Sequence, residues 1–173
     1  MEYELCIREA EAQDAAALVA FLDLVGQETD FTSLDENGIL MTESEMALFI
    51  EKQANSDNQI TLLALLNDEI AGVLNITTEQ RIRIRHIGDI FLVIQRKFWN
   101  HGLGSILLEE GIEWAKTSGV LRRLQLSVQK RNEAAIYLYS KFGFVTEGLQ
   151  ERGAYLKEGI FLDVYLMGRL IDK

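Results

Sequence analysis

The sequence predicts a mixed α/β (α+β) domain whose sheet is partly antiparallel and partly parallel, on three observations. Apolar runs at residues 60–66 and 70–79 flank the short turn "NDE" and read as an antiparallel hairpin. Further on, strand patterns alternate with helical ones, and strand-helix-strand successions join parallel strands. A chain of 173 residues, 48% of them hydrophobic, has single-domain length and enough apolar mass for one packed core.

The elements follow in order. Residues 4–10, "ELCIREA", alternate Leu5 and Ile7 with polar neighbours as a strand does, and Asp14 is the expected N-cap of a helix over 15–25. Residues 26–42, "GQETDFTSLDENGILMT", lack periodicity and are rich in turn-forming side chains, so they read as a long loop bordering a site. Thr42 with Glu45 is a capping signature opening a helix that runs to about Ala54. After the hairpin, residues 83–94, "RIRHIGDIFLVI", alternate at first and end continuously apolar, as in a strand buried on both faces. A helix over 102–118, a strand over 123–128, a helix over 132–141 and strands over 142–149 and 159–170 complete the order. Proline is absent, so helix stops fall to residues such as Gly119.

Lys and Arg total 17 against 27 Asp and Glu, a net charge of −10, and no basic run tracks a phosphate backbone; nucleic acid is not an expected partner. The start lacks a basic segment followed by an apolar one, and no apolar run approaches the length of a membrane span, so a cytoplasmic location and no membrane partner are expected. The lone Cys6 cannot form an internal disulfide and reads as a small buried apolar residue. With only His86 and His101 available, no metal-ligand spacing exists, and none is expected.

The stretch "FWNHGLGSILLEEGIEWA", residues 98–115, places two glycines at a strand-to-helix turn. A dinucleotide fingerprint needs a third glycine where Leu107 stands, and a phosphate-binding Gly-Lys-Ser/Thr loop is absent. What remains is general: the first-turn amides of a helix lack partners within it and sit at its positive end, a site suited to phosphate, with Lys97 and His101 nearby. Downstream comes "NEAAIYLYSKFGF", residues 132–144. Tyr139 follows Asn132 by seven residues, so on a helix the two share nearly one face.

These two motifs in this order, together with the order of elements, resemble the GCN5-related N-acetyltransferase (GNAT) family along the whole chain. Asn132, Ala135, Tyr139, Gly143 and Phe144 match that family's downstream motif. The upstream motif departs from the usual pattern: Trp99 stands at the Gln or Arg position, Asn100 at the next glycine, and Arg96 at the usual proline. The resemblance implies a mostly antiparallel seven-stranded sheet flanked by helices, with a splayed pair of central parallel strands. It implies acetyl-CoA as the acyl donor, with direct transfer in a ternary complex to a primary amine of a small molecule or a protein N-terminus. Lys97, Trp99, Asn100, His101, Gly102, Leu103, Gly104 and Ser105 would form its pyrophosphate loop, and the backbone of Leu92, Val93 and Ile94 would hold the pantetheine arm and the thioester oxygen. Tyr139 would protonate the departing thiolate, with Tyr137 as the fallback. Asn132 and Ala135 would meet the pantetheine arm, and Lys130 or Lys141 the adenosine 3′-phosphate.

For the amine's proton, Glu28, Asp89 or a relayed water are the alternatives, and His86 is read as a strand histidine. Residues 26–38 would wall the acceptor, and their acidic side chains Glu28, Asp30, Asp35 and Glu36 either attract a cationic amine such as a polyamine or are simply solvated. The apolar last strand would be a hazardous free edge, so a homodimer is expected. The rival is a non-catalytic acyl-CoA sensor, which has no need of an acid at Tyr139.

Overall fold

The computed structural model describes residues 2–172. Its elements are β1 (Leu5–Glu9), α1 (Ala15–Glu28), α2 (Glu43–Ala54), β2 (Ile60–Leu66), β3 (Glu69–Thr77), β4 (Ile87–Ile94), α3 (Leu103–Thr117), β5 (Arg123–Gln129), α4 (Glu133–Lys141), β6 (Val145–Leu156) and β7 (Ile160–Leu170), with 3₁₀ turns at Ala12–Asp14 and Arg96–Phe98. The order is the expected one. No helix among the described residues is long and apolar enough to cross a membrane.

The strands form one seven-stranded sheet in the order β1-β2-β3-β4-β5-β7-β6, and every neighbouring pair is antiparallel except β4 and β5. The parallel pairing reaches only from Ile87 to Asp89, against Arg123 to Gln125. Beyond Asp89, β4 continues to Ile94 paired with β3 alone, so the two central strands splay apart.

Strand periodicity sorts the core into two layers. Leu63, Leu65, Val73 and Val93 face α1 and α2, while Leu62, Ala64, Leu74, Ile76 and Ile90 face α3 and α4. Helices on both sides explain why every residue of β2 is buried. The β2–β3 turn is shorter than its three-residue sequence reading: Asn67 and Asp68 alone carry it, at φ 49° and 67°, the left-handed pair of a tight hairpin turn.

Several expectations are corrected. Asp14 does not cap α1; its carboxylate accepts the Glu11 N–H at 2.7 Å and pairs with both Arg8 terminal nitrogens at 2.7 and 2.8 Å, closing the 3₁₀ turn before the helix. The Arg8 guanidinium holds its carboxyl below the usual carboxylate range. Residues 83–86 form a turn rather than strand, because the Arg81 and Ile84 carbonyls take local amides. His86 is therefore not a strand residue; its carbonyl accepts the N–H of Arg122 and Arg123 and sets β5 beside β4. Cys6 is exposed, since it lies on edge strand β1. The free edge at the other side is β6, not the last strand, because β7 inserts between β5 and β6. Two register shifts break the β6 ladder, as bulges commonly do at sheet margins.

Gly111 lets α3 lie directly on the sheet: a Cβ there would come within 2.9 Å of the fully buried Leu74 side chain. Gly111→Ala is expected to cost up to about 2 kcal/mol by urea denaturation, because overpacking of about 1–3 kcal/mol is set against a helix-propensity gain of about 1 kcal/mol. Leu74→Ala alone costs about 2–5 kcal/mol. Adding Gly111→Ala in that background should be neutral or stabilising; additive losses would remove the close contact as the reason for the glycine.

Candidate active site

The end of β4 has one bonded edge and one open edge. Gln95 donates its N–H to the Ala71 carbonyl at 2.8 Å, so alternation turns the backbone groups of Val93 and Phe91 toward β3 and those of Leu92 and Ile94 toward the splay. The Ile94 carbonyl on that side accepts the Trp99 indole N–H at 2.8 Å. On the splay side Leu92 has no partner strand, its register partner Leu74 lying across on β3.

Past β4 the chain makes its 3₁₀ turn and enters α3 through two left-handed residues, Asn100 at φ 64° and Gly102 at φ 81°. A Cβ at Gly102 would meet nothing within 4 Å, so the backbone angle, not space, calls for glycine. Inside α3 the first amide bond is Ile106 N–H to the Gly102 carbonyl, and no side chain caps the helix. The N–H groups of Leu103, Gly104 and Ser105 are thus left at the positive end of the helix, where roughly half an elementary charge resides.

A groove of about 340 Å³ joins these two features. Leu92, Val93 and Ile94 form its floor, and Trp99, Asn100, Gly102, Leu103, Gly104 and Ser105 line one end. Asn132, Ala135 and Tyr139 line it from α4. Other predicted positions lie outside the groove. Lys97 and Lys141 are exposed, their ammonium groups over the rings of Phe98 and Phe142 at 4.9 and 6.0 Å, and His101 is exposed on the turn. Lys130 is exposed as well. Asp89 stands at the base of the splay, accepts from the Gln125 amide at 2.8 Å and borders a separate depression with Arg123 and Glu147. The Glu28 carboxylate accepts the Arg96 N–H at 2.9 Å, which ties the end of α1 to the turn after β4.

Tyr139 is 7% exposed and packs edge-on against Phe144 at 5.7 Å, and its hydroxyl has no hydrogen-bond partner among the described residues. Burial pushes its phenol well above the usual range, so it stays protonated near neutrality. Tyr137 is 73% exposed and does not line the groove, which leaves Tyr139 as the acid candidate. The Asn132 side-chain oxygen caps α4 by accepting the Ala135 N–H at 3.3 Å.

Residues 29–42, whose lining members could not be picked out by periodicity, cross the mouth of the splay. Phe31 stands between Trp99, at 6.5 Å, and the Arg131 guanidinium, at 4.8 Å. Arg131 pairs with Asp30 at 2.5 Å, and the buried Gln129 donates to the Asp30 carbonyl at 2.7 Å. On the far side of Leu92 lies a second chamber of about 350 Å³, lined by Thr32, Ser33, Ser127, Gln129 and Gln150 and sharing Asn132 and Tyr139 with the groove. Tyr139 is the one titratable side chain among the described residues lining it. The loop's carboxylates have internal partners: Asp35 accepts the Asn37 N–H, Glu36 pairs with Lys157, and Glu28 and Asp30 are engaged as above. A single lone aromatic in a polar loop, Phe31, is the only signal the sequence offered for this strap.

Comparison with known proteins places the site in context. A family model described as "Acetyltransferase (GNAT) family" matches residues 28–144, which include both motifs. The L-amino acid N-acetyltransferase AaaT of Escherichia coli is 28% identical over 167 residues, covering 96% of this chain and 98% of that protein. A GNAT-family acetyltransferase of Streptococcus pneumoniae is 67% identical with a TM-score of 0.95, covering 98% and 100% of the two chains. A phosphinothricin acetyltransferase of Sinorhizobium meliloti, solved with acetyl-CoA, shares the fold at a TM-score of 0.82 and 20% identity, covering 99% of this chain and 89% of that one.

The cap at Asn132 separates a structural role from a chemical one. Asn132→Ala should cost about 1 kcal/mol of unfolding free energy, whereas Asn132→Asp should cost little, because aspartate caps as well as asparagine. Equal losses in thermal denaturation of the two variants would show that the cap does not stabilise α4.

Proposed function

The chain belongs to the GNAT acetyltransferase family, whose members are acetyl-CoA-dependent acyltransferases, and we propose that it transfers acetyl directly, within a ternary complex, to the primary amine of a small molecule or a protein N-terminus. One observation carries this reading: the open backbone edge of Leu92, the free amides of α3 and the unpartnered Tyr139 hydroxyl all line one groove. A diphosphate fits the α3 end, where Leu103, Gly104 and Ser105 offer N–H donors without side-chain obstruction in an otherwise acidic protein. An extended amide-bearing arm fits the unpaired edge of β4, which supplies donors and acceptors in strand geometry.

In this mechanism the neutral amine enters from the chamber bordered by Thr32, Ser33 and Ser127. Its nitrogen attacks the thioester carbonyl, the C–N bond forms and the C–S bond breaks. The Leu92 N–H is the donor aimed at the developing oxyanion, a contribution typically worth about a hundredfold in rate. The Tyr139 O–H hands its proton to the departing thiolate, and the amine's surplus proton leaves through water, since no carboxylate or histidine lines the chamber among the described residues. Asn132 orients the arm beside Tyr139. Asp89 and Glu28 have no part in proton transfer in this scheme, because each is committed elsewhere.

L-Amino acid acetylation by the Escherichia coli relative supports a small α-amine as acceptor. The internal pairing of the loop's carboxylates argues against a polyamine. The apolar side chains that β6 and β7 expose, Val145, Leu149, Phe161 and Leu170 among them, support self-association into a homodimer.

Tyr139→Phe should lower kcat about a hundredfold or more while leaving the acetyl-CoA-induced rise in Tm nearly intact; an unchanged kcat, read by thiol release, would remove the residue from the acid role. The same assay separates catalysis from sensing, since a sensor would be stabilised by acetyl-CoA without releasing thiol. A second outcome concerns pH. The Tyr139 phenol is raised, so it remains a proton donor from the acid range to beyond neutrality, and kcat/KM should rise with pH along the ionisation of the amine itself. Two acceptors of different amine pKa should give rising limbs displaced by that difference; a common limb near pH 6–7 would indicate a protein base instead.

A further inference from the structure

Building on the acetyltransferase reading above, we propose that an apolar cavity beneath α1 and α2 receives the side chain of the acceptor, and that the acceptor is an α-amino acid whose side chain is uncharged and apolar, of the leucine, methionine or phenylalanine class. The cavity measures about 260 Å³ and is lined by Leu22 of α1, Met46 and Phe49 of α2, Met41 of the preceding loop, and Val73 and Phe91 of the sheet. Protein interiors are packed closely, and voids much larger than a water are few. Apolar ones stay dry and take up apolar molecules of matching size. This void therefore has the character of a receptor for a side chain.

Its position links it to the reaction. Ser33 and Phe91 line both this cavity and the chamber beside Leu92, so the two spaces meet at that pair. Phe91 and Leu92 are consecutive on β4, and residues along a strand advance by roughly 3.3 Å. An amine in the chamber beside Leu92 therefore has its substituent next to Phe91, the residue that walls the cavity. No charged residue lines the cavity, so a lysine, arginine, aspartate or glutamate side chain would be buried unpaired, which is prohibitive. At the polar floor Asn75 donates to Thr61 Oγ1 at 2.7 Å and to Gln53 Oε1 at 3.2 Å, and the Thr61 hydroxyl also bonds to Gln53, whose Nε2 alone is buried without a partner among the described residues.

The test is thiol release from acetyl-CoA with L-phenylalanine, L-methionine, L-leucine, glycine, L-lysine and L-aspartate, beside simple amines. Burial of a whole apolar side chain should give the first three a kcat/KM roughly tenfold to a hundredfold above glycine, with lysine and aspartate no better than glycine. Met41→Trp, which fills the cavity from the loop, should cut the phenylalanine-to-glycine ratio by about tenfold or more, and a retained acetyl-CoA thermal shift will show that the variant is folded. Independently of turnover, N-acetyl-L-phenylalanine with coenzyme A should raise Tm above the value with N-acetylglycine, and Met41→Trp should erase that difference. Turnover of glycine or the charged amino acids equal to phenylalanine, turnover of simple amines alone, an unaltered ratio in Met41→Trp, or no stabilisation by N-acetyl-L-phenylalanine would each overturn the inference while leaving the acetyltransferase standing. Absence of both an acetyl-CoA thermal shift and thiol release with every amine would instead overturn the parent reading.

Discussion

The parting of β4 from β5 after Asp89 is the constraint on which the remaining structure depends. Each strand is held on its far side, β4 by β3 and β5 by β7, so the gap can open without either strand losing its ladder. At the base the His86 carbonyl and three paired positions hold the strands together. Beyond it, backbone groups that would ordinarily be consumed in a parallel ladder stand unpaired around Leu92. Groups of this kind ordinarily find partners, and those of Leu92 face the groove. Both helices that leave the central strands, α3 after β4 and α4 after β5, begin at this same end. The free amides of Leu103 to Ser105 and the Asn132–Tyr139 face therefore converge on the gap as a consequence of connectivity.

Electrostatics in the site run opposite to those of the molecule. The chain carries a net charge of −10, yet no carboxylate among the described residues lines the chamber beside Leu92, and the uncapped amides of α3 leave the groove's other end positive. The carboxylates nearest the mouth act as structural acceptors: Glu28 for the Arg96 amide, Asp30 for Arg131, Glu36 for Lys157. Burial raises the Tyr139 phenol, so that side chain too is uncharged near neutrality. A chamber with neutral walls favours a neutral amine, the form that attacks.

The segment between α1 and α2 divides the space. Phe31, held between Trp99 and Arg131, borders both the groove on the α3 side and the chamber walled by β5 and β6, and Gln129 and Arg131 pin the loop from the end of β5. Trp99 thereby does two things at once: its indole N–H closes the Ile94 carbonyl, and its ring packs beside Phe31. The departure from the usual family pattern is thus a packing solution. It replaces a side-chain contact with a wall.

Local chemistry was written plainly enough for the sequence to determine the elements and two motifs. Period-two and period-3.6 patterns, the Thr42 cap and the glycine turn before α3 are short-range properties, and they placed β2, β3, α2, α3 and α4 nearly to the residue. The Asn132–Tyr139 spacing likewise followed from helix pitch alone. What the sequence could not determine depended on contacts between distant residues. Asp14 spends its carboxylate on Arg8 and the 3₁₀ turn, not on α1, because a partner six residues back competes for it. Asp89 and Glu28 looked available until Gln125 and Arg96 met them across the fold. The edge at β6, the strap through Phe31 and the void beside Phe91 are all products of strand order, and strand order is decided by which apolar faces can be buried together, a property of the whole sheet that no local window contains.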